Sequence, residues 1–115
     1  MTQAAEPIEI EPAAVQALGG PGPAAAWLLL DCRTPEEHAT ARIAGGVLIP
    51  MQDLPARVGE LAAHKATPLI VHCHHGMRSL RVAKWLRDQG FALAQSMRGG
   101  IDAWSEEIDP SVPKY

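Results

Sequence analysis

The sequence predicts an open, mostly parallel α/β sheet of five strands with helices on both faces. Three observations predict it. Short apolar runs of strand length alternate with helical patterns, as parallel βαβ units require. The run Leu69 to Val71 lacks polar alternation, which suits a central strand buried on both faces. Glycine or proline closes many of the segments, as at Gly19-Gly20, Pro50 and Gly90.

Taken in order, Ile8 to Ile10 reads as a short first strand. Pro12 then sits at a helix start, with Val15 and Leu18 as its apolar face and Gly19-Gly20 as its stop. After the loop Pro21-Gly22-Pro23, the apolar stretch Ala24 to Leu30 supplies a strand and its lead-in, with Trp27 to Leu30 as a buried strand stopping at Asp31. Thr34, Pro35 and Glu37 stand where a capping box with proline at the first helical position wants them. Val47 to Ile49 is a third strand closed by Pro50, and Leu54, Val58 and Leu61 form the inner face of a helix that His64 and Lys65 end. Leu69 to Val71 is the fourth strand. A helix from Met77 to Gln89 turns Leu80, Ala83 and Leu86 inward, with Val82 and Trp85 beside them. Ala92 to Ala94 reads as a fifth strand, and Ile101 with Trp104 anchors a last helical turn.

The 115 residues fit a single domain spanning 1–115, with 1–6 and 108–115 as loose tails. A net charge of -3 provides no basic field for nucleic acid, so neither DNA nor RNA is an expected partner. The longest apolar stretch is far short of the roughly 20 residues that a membrane helix needs. Two cysteines are too few to staple a domain, and the N-terminus has neither the basic start nor the apolar run of a leader. A reduced, cytoplasmic protein is expected.

Chemistry concentrates in Cys73-His74-His75-Gly76-Met77-Arg78-Ser79. In open α/β sheets ligands bind beyond the carboxyl ends of the strands, and both Asp31 and Cys73 lie at such ends. Residues 74 to 79 join a strand to a helix, so their amides and the positive end of the helix can converge on the Cys73 sulfur. Such surroundings lower a thiol pKa from about 8.5 into the range of roughly 3.5 to 7.5. The same amides suit an extra sulfur carried on the cysteine. Gly76 allows a tight turn, Arg78 offers a forked cationic donor for the oxygens of an anion such as thiosulfate, and Ser79 adds a hydrogen bond or a cap. His74 and His75 read as a polar wall that can meet donor or acceptor. Asp31 orients the loop or Arg33, or caps backbone N–H groups. Arg33 is expected to pair with Glu36 or Glu37. Cys32 could resolve a Cys73 persulfide into a disulfide if their two strands are neighbours, but if Asp31 faces the loop, strand alternation points Cys32 away from it, and a buried apolar cysteine is the favoured reading.

With these residues in place, the chain resembles the single-domain rhodanese family, whose loop reads Cys-x-x-Gly-x-Arg-Ser and is matched throughout by Cys73 to Ser79. Leu30-Asp31-Cys32-Arg33 is similar to the family's Asp-Val-Arg strand end. Glu37, Ile43, Gly45 and Val47 to Pro50 follow its next stretch, and Arg98-Gly99-Gly100-Ile101-Asp102-Ala103-Trp104 its late Gly-Gly-x-x-x-Trp element. Departures are Cys32 for Val, His38 for an aromatic, Ala41-Arg42 for Gly-His and Ala44 for Pro. The resemblance implies a sulfurtransferase in which Cys73 takes sulfane sulfur from thiosulfate or another donor as a persulfide. It then passes the sulfur to cyanide, a thiol or a carrier protein. That covalent sulfur is the only carrier implied, with no cofactor and no metal.

Other readings stand beside it. Phosphatases and arsenate reductases of the related fold place arginine six residues after the cysteine, where this chain has Ser79, with Arg78 at the fifth. His72, Cys73, His74 and His75 could form a soft metal site, although neighbours in one short loop rarely all reach one ion. A non-catalytic binding module would keep the fold without needing the intact loop. Arg42 reads as an exposed arginine, and Trp27, Trp85 and Trp104 as core anchors.

Overall fold

A computed structural model of the protein describes residues 6–22 and 25–115. Residues 1–5 of the expected N-terminal tail, and Pro23 and Ala24 of the expected loop and strand lead-in, lie outside them. Five parallel strands form one sheet: β1 (Glu9–Ile10), β2 (Leu28–Asp31), β3 (Val47–Leu48), β4 (Leu69–His72) and β5 (Ala94–Met97), in the order β1-β5-β4-β2-β3. The sheet is open and wholly parallel, with β4 in the middle and buried along its length. Helices α1 (Pro12–Gln16), α2 (Pro35–Thr40), α3 (Leu54–Arg57), α4 (Met77–Asp88) and α5 (Gly100–Glu107) make the connections and the last layer. No described helix is long and apolar enough to cross a membrane.

The period-2 rule sorts the central strands between two cores. Leu30, Leu69 and Val71 pack with Val82, Ala83 and Leu86 of α4 and with Leu54 and Leu61 on one face. Leu29 and Ile70 pack on the other face with Val15 of α1 and Ile101 of α5. Parallel pairing of Leu28 with Leu69 and Leu30 with Val71 keeps like faces together.

Three elements differ from expectation. The fifth strand runs over Ala94–Met97, not Ala92 to Ala94, because the strand carries Gln95 and Ser96, whose polar side chains are buried with partners of their own. The segment after Pro50 is no continuous helix: a 3-10 turn over Met51–Asp53, the single turn α3 and a 3-10 run over Val58–His64 carry Leu54 and Leu61 into the core. Helix α1 stops at Gln16, so Leu18 stays exposed.

The expected loose C-terminal tail is packed. Val112 joins the core beside Ile101, the Ser105 hydroxyl donates to the Val112 carbonyl at 2.6 Å, and the Tyr115 hydroxyl donates to Glu37 Oε2 at 2.6 Å. Glu6 is held as well, through Arg87 Nη2 on its carbonyl at 2.7 Å.

Helix α2 begins as its sequence requires, with the Thr34 hydroxyl accepting from the Glu37 amide and the Glu37 carboxylate accepting from the Thr34 amide. Just before it, Arg33 is wholly buried, and its partner is Asp31, not Glu36 or the Glu37 carboxylate. Nε and Nη2 of Arg33 grip the two Asp31 oxygens at 2.9 and 2.7 Å. The remaining donors reach the carbonyls of Ala41 and Glu37 and the Tyr115 hydroxyl. Full satisfaction is what allows a guanidinium to be buried at all. Burial pushes the Asp31 carboxyl up, but Arg33, with His72 and His38, outweighs this and holds it below its ordinary value.

His72 pairs with Asp31 across β4 and β2 and is fully buried, and burial brings its pKa down to about 4 from 6.5. It is therefore neutral in the folded protein at neutral pH. Between those two values the unfolded chain binds a proton that the folded chain refuses, so stability is complete above the upper value and falls as pH falls through the window. Denaturant unfolding titrated from about pH 8 to about pH 4 should show a loss of about 3 kcal/mol from this group, with a shallower slope in His72→Gln. Thr34→Ala should lower stability by about 1 kcal/mol, read as a shift of the denaturant midpoint at unchanged m-value.

Candidate active site

Cys73 leaves β4 at its carboxyl end, and the loop that follows turns through Gly76 at φ 104° into α4. Cys73 is 1% exposed, and its sulfur receives the amides of Gly76 at 3.1 Å and Ser79 at 3.3 Å. The Ser79 hydroxyl stands 3.4 Å from it and 2.7 Å from the Ser96 hydroxyl on β5. Of the amides of residues 74 to 79, Gly76 and Ser79 are the ones on the sulfur among the described residues. The amides of Met77 and Arg78 open the first helical turn, where no intrahelical partner exists.

The loop is held from outside by α5. The amides of Ile101 and Asp102 donate to the carbonyls of Cys73 at 2.9 Å and His74 at 3.1 Å. This approach requires Gly100: a Cβ there would collide with both carbonyls, and its φ of 62° is in the left-handed region. Gly76 faces Gly99 less closely, its would-be Cβ 3.2 Å from the Gly99 amide.

Arg78 belongs to the mouth, but its guanidinium is already engaged. Nη1 and Nη2 donate to the two Glu37 oxygens at 2.6 and 2.9 Å. The Arg78 fork, against a smaller effect of burial, holds the Glu37 carboxyl well below the usual carboxylate range. Glu37 was expected to face Arg33 and was not foreseen as the partner of Arg78. Its capping position was legible, but the approach of β2 and β4 that brings Arg78 to it was not.

His74 stacks between His75 and Tyr115, at 3.8 Å between ring centroids in both pairs. Burial and the neighbouring His75 push its pKa down. Met77 projects into solvent at 75% exposure. Asp31 and Arg33 sit on the far side of the sheet from the sulfur and shape the β2–α2 corner; His38 Nδ1 lies 2.9 Å from Asp31 Oδ2, joining that corner through its own imidazole. Arg42 is exposed beside Trp27 and Trp104, in a groove on the opposite face from Cys73. The metal grouping considered from sequence is rearranged: His74 and His75 are brought to Asp102, with ligand atoms within 4.8 Å of one another, while His72 is buried against Asp31 and Cys73 faces the amides. Ser96 and Tyr115 were also missed, since neither lies near the loop in sequence.

The five-stranded parallel fold agrees with comparisons to known proteins. A family model described as Rhodanese-like domain matches residues 12–107. The chain is 35% identical over 85 residues to a sulfurtransferase of Allochromatium vinosum, covering 74% of this chain and 78% of that protein. It is 33% identical over 85 residues to the thiosulfate sulfurtransferase GlpE of Stutzerimonas stutzeri, covering 74% and 76%. A rhodanese-related protein of Thermoplasma volcanium matches with a TM-score of 0.75 at 28% identity, covering 93% of this chain and 98% of that one. Against several longer curated relatives, matched at 28–37% identity, the chain spans 19–30% of their length. From α1 through α5, this chain belongs to the rhodanese-like domain family.

Proposed function

We propose that this protein is a sulfurtransferase that carries sulfane sulfur as a persulfide on Cys73. Thiosulfate or another persulfide donor supplies the sulfur, and cyanide, a thiol or a carrier protein accepts it. The observation that carries this reading is the Cys73 sulfur itself, buried at the carboxyl edge of the sheet with the amides of Gly76 and Ser79 on it. Neutral dipoles aimed at one sulfur stabilise a diffuse negative charge there without a cation in contact.

In the first step the Cys73 thiolate attacks the outer sulfur of thiosulfate. A Cys73 S–S bond forms, the donor S–S bond breaks and sulfite leaves with its electron pair. The outer sulfur then lies over the start of α4, where the amides of Met77 and Arg78 are next in line. In the second step cyanide or a thiolate attacks that outer sulfur, and Cys73 departs as thiolate. No other cofactor is needed. Arg78 orients the donor's oxygens, with its charge moderated by Glu37. His74 and His75 wall the mouth, and the exposed Met77 offers an apolar landing for an acceptor protein. A reducing compartment such as the cytoplasm keeps Cys73 and Cys32 free.

Incubation with thiosulfate should add one sulfur to the peptide containing Cys73, removable by dithiothreitol, and thiocyanate should form when cyanide is added. Cys73→Ser should reduce both to background. Absence of thiocyanate and of the added sulfur with several donors would leave a binding module in place of a transferase. Glu37→Gln should free the Arg78 charge and lower the KM for thiosulfate by about threefold with little change in kcat, while Arg78→Ala should raise that KM by about tenfold.

A further inference from the structure

We propose that Cys32 is a resolving thiol for Cys73: when a hydroperoxide oxidises Cys73 to a sulfenic acid, Cys32 closes an internal disulfide that spares the nucleophile from irreversible oxidation. Alternation along β2 pointed Cys32 away from the loop only if Asp31 faced it, and Asp31 lies on the opposite face. Leu28 pairs with Leu69, Leu30 with Val71 and Asp31 with His72, and the Cys32 amide donates to the His72 carbonyl at 3.2 Å, so the same register brings Cys32 beside Cys73. Both cysteines belong to the core on the Leu30 and Val71 face, whereas Leu29 and Ile70 belong to the other. The Cys32 Sγ stands 3.5 Å from the His72 carbonyl, one residue before Cys73.

Adjacent parallel strands run about 4.8 Å apart, inside the Cα separation of about 4.4 to 6.8 Å that disulfides span. The Cys32 backbone is held on both sides, its amide donating to the His72 carbonyl and its carbonyl accepting from the Met51 amide at 3.0 Å, so closure of the disulfide falls to the side chains of two residues already in register. Burial, with the neighbouring Cys73 and Asp31, pushes the Cys32 thiol up, so it stays protonated and does not compete as a nucleophile at rest. The Gly76 and Ser79 amides approach Cys73 from the loop, and Cys32 flanks it from the neighbouring strand on the same face.

The chemistry balances with hydrogen peroxide as the oxidant. The Cys73 thiolate attacks one peroxide oxygen, the O–O bond breaks, hydroxide leaves, and Cys73 becomes a sulfenic acid. Cys32 then attacks Cys73 Sγ. The S–O bond breaks as the S–S bond forms, and the Cys32 proton departs with the hydroxide as water. Two thiols are oxidised by two electrons in total, and the peroxide is reduced to water.

The full chain, treated with hydrogen peroxide and then thiol-blocked, should yield a disulfide joining the peptides of Cys32 and Cys73, with loss of two hydrogens and full reversal by dithiothreitol. Cys32→Ser and Cys32→Val should instead accumulate Cys73 with two or three added oxygens, and the Cys73 thiol recovered after reduction should fall at least about fivefold. Cys32→Val places an apolar side chain in the apolar site and guards against a folding failure of the serine variant; should both unfold, peptide mapping of the unaltered protein decides. Oxygen added to Cys73 while Cys32 remains a thiol would overturn the proposal, as would a disulfide between two chains through Cys73 or undiminished recovery in both variants. Because none of these readouts uses sulfur transfer, a failure to load sulfur from thiosulfate would count against the transferase alone.

Discussion

The register between β2 and β4 is the constraint on which the site depends. Pairing Asp31 with His72 places a carboxylate and a neutral imidazole on one face of the sheet, and the next step along both strands places Cys32 and Cys73 on the other. In a sheet the side-chain period is two, so a slip of one residue would exchange these faces and carry the thiol away from α4. What prevents the slip is burial. Leu29 with Ile70 and Leu30 with Val71 are each matched to a different core, and all four are fully buried.

Upon this register rests a chain of charges that stays satisfied at every link. Arg33 is neutralised by Asp31 and uses its remaining donors on Ala41, Glu37 and Tyr115, so one guanidinium ties the end of β2 to both ends of α2 and to the C-terminal residues. Removing one partner of such a pair leaves a buried charge unmatched, which costs about 3 to 5 kcal/mol, far more than an exposed pair contributes. Glu37 is the second junction: it caps α2, takes the Arg78 fork and accepts from Tyr115. The two junctions share Tyr115, which also stacks on His74, and the wall of the mouth is therefore built from α2, the cysteine loop and the last residue together.

Local signals were legible in sequence and distant ones were not. The capping box of Thr34 and Glu37, the apolar β4 and the Cys73 to Ser79 loop each depend on residues a few positions apart, and all appear where their chemistry requires. β5 was misplaced because its buried Gln95 and Ser96 carry no hydrophobic pattern, although Ser96 is what supports Ser79. The carboxylate partner expected for Arg33 belongs instead to Arg78, for which the sequence suggested none. Proximity in sequence favours Glu37 for Arg33, whereas the planar fork of Arg33 matches the Asp31 carboxylate two residues back, leaving Glu37 to an arginine 41 residues away. The packed C-terminal segment showed too little hydrophobicity to be recognised, since Val112 and the hydroxyl of Tyr115 do its work singly.

The pairing of Arg78 with Glu37 bears on which ligands the loop favours. A tetrahedral oxyanion carries its charge on several oxygens and is best met by a cation that wraps round it, the role of an arginine placed six residues after the nucleophile. In this chain that position is Ser79, whose amide and hydroxyl already attend the sulfur, and the arginine before it is turned to a carboxylate. What faces Cys73 is the pair of neutral N–H dipoles of Gly76 and Ser79 beside the Arg78–Glu37 ion pair, an arrangement without the wrapping cation that a phosphate seated over the sulfur calls for. Dipoles of this kind act most strongly where water is excluded, as around Cys73, which is 1% exposed.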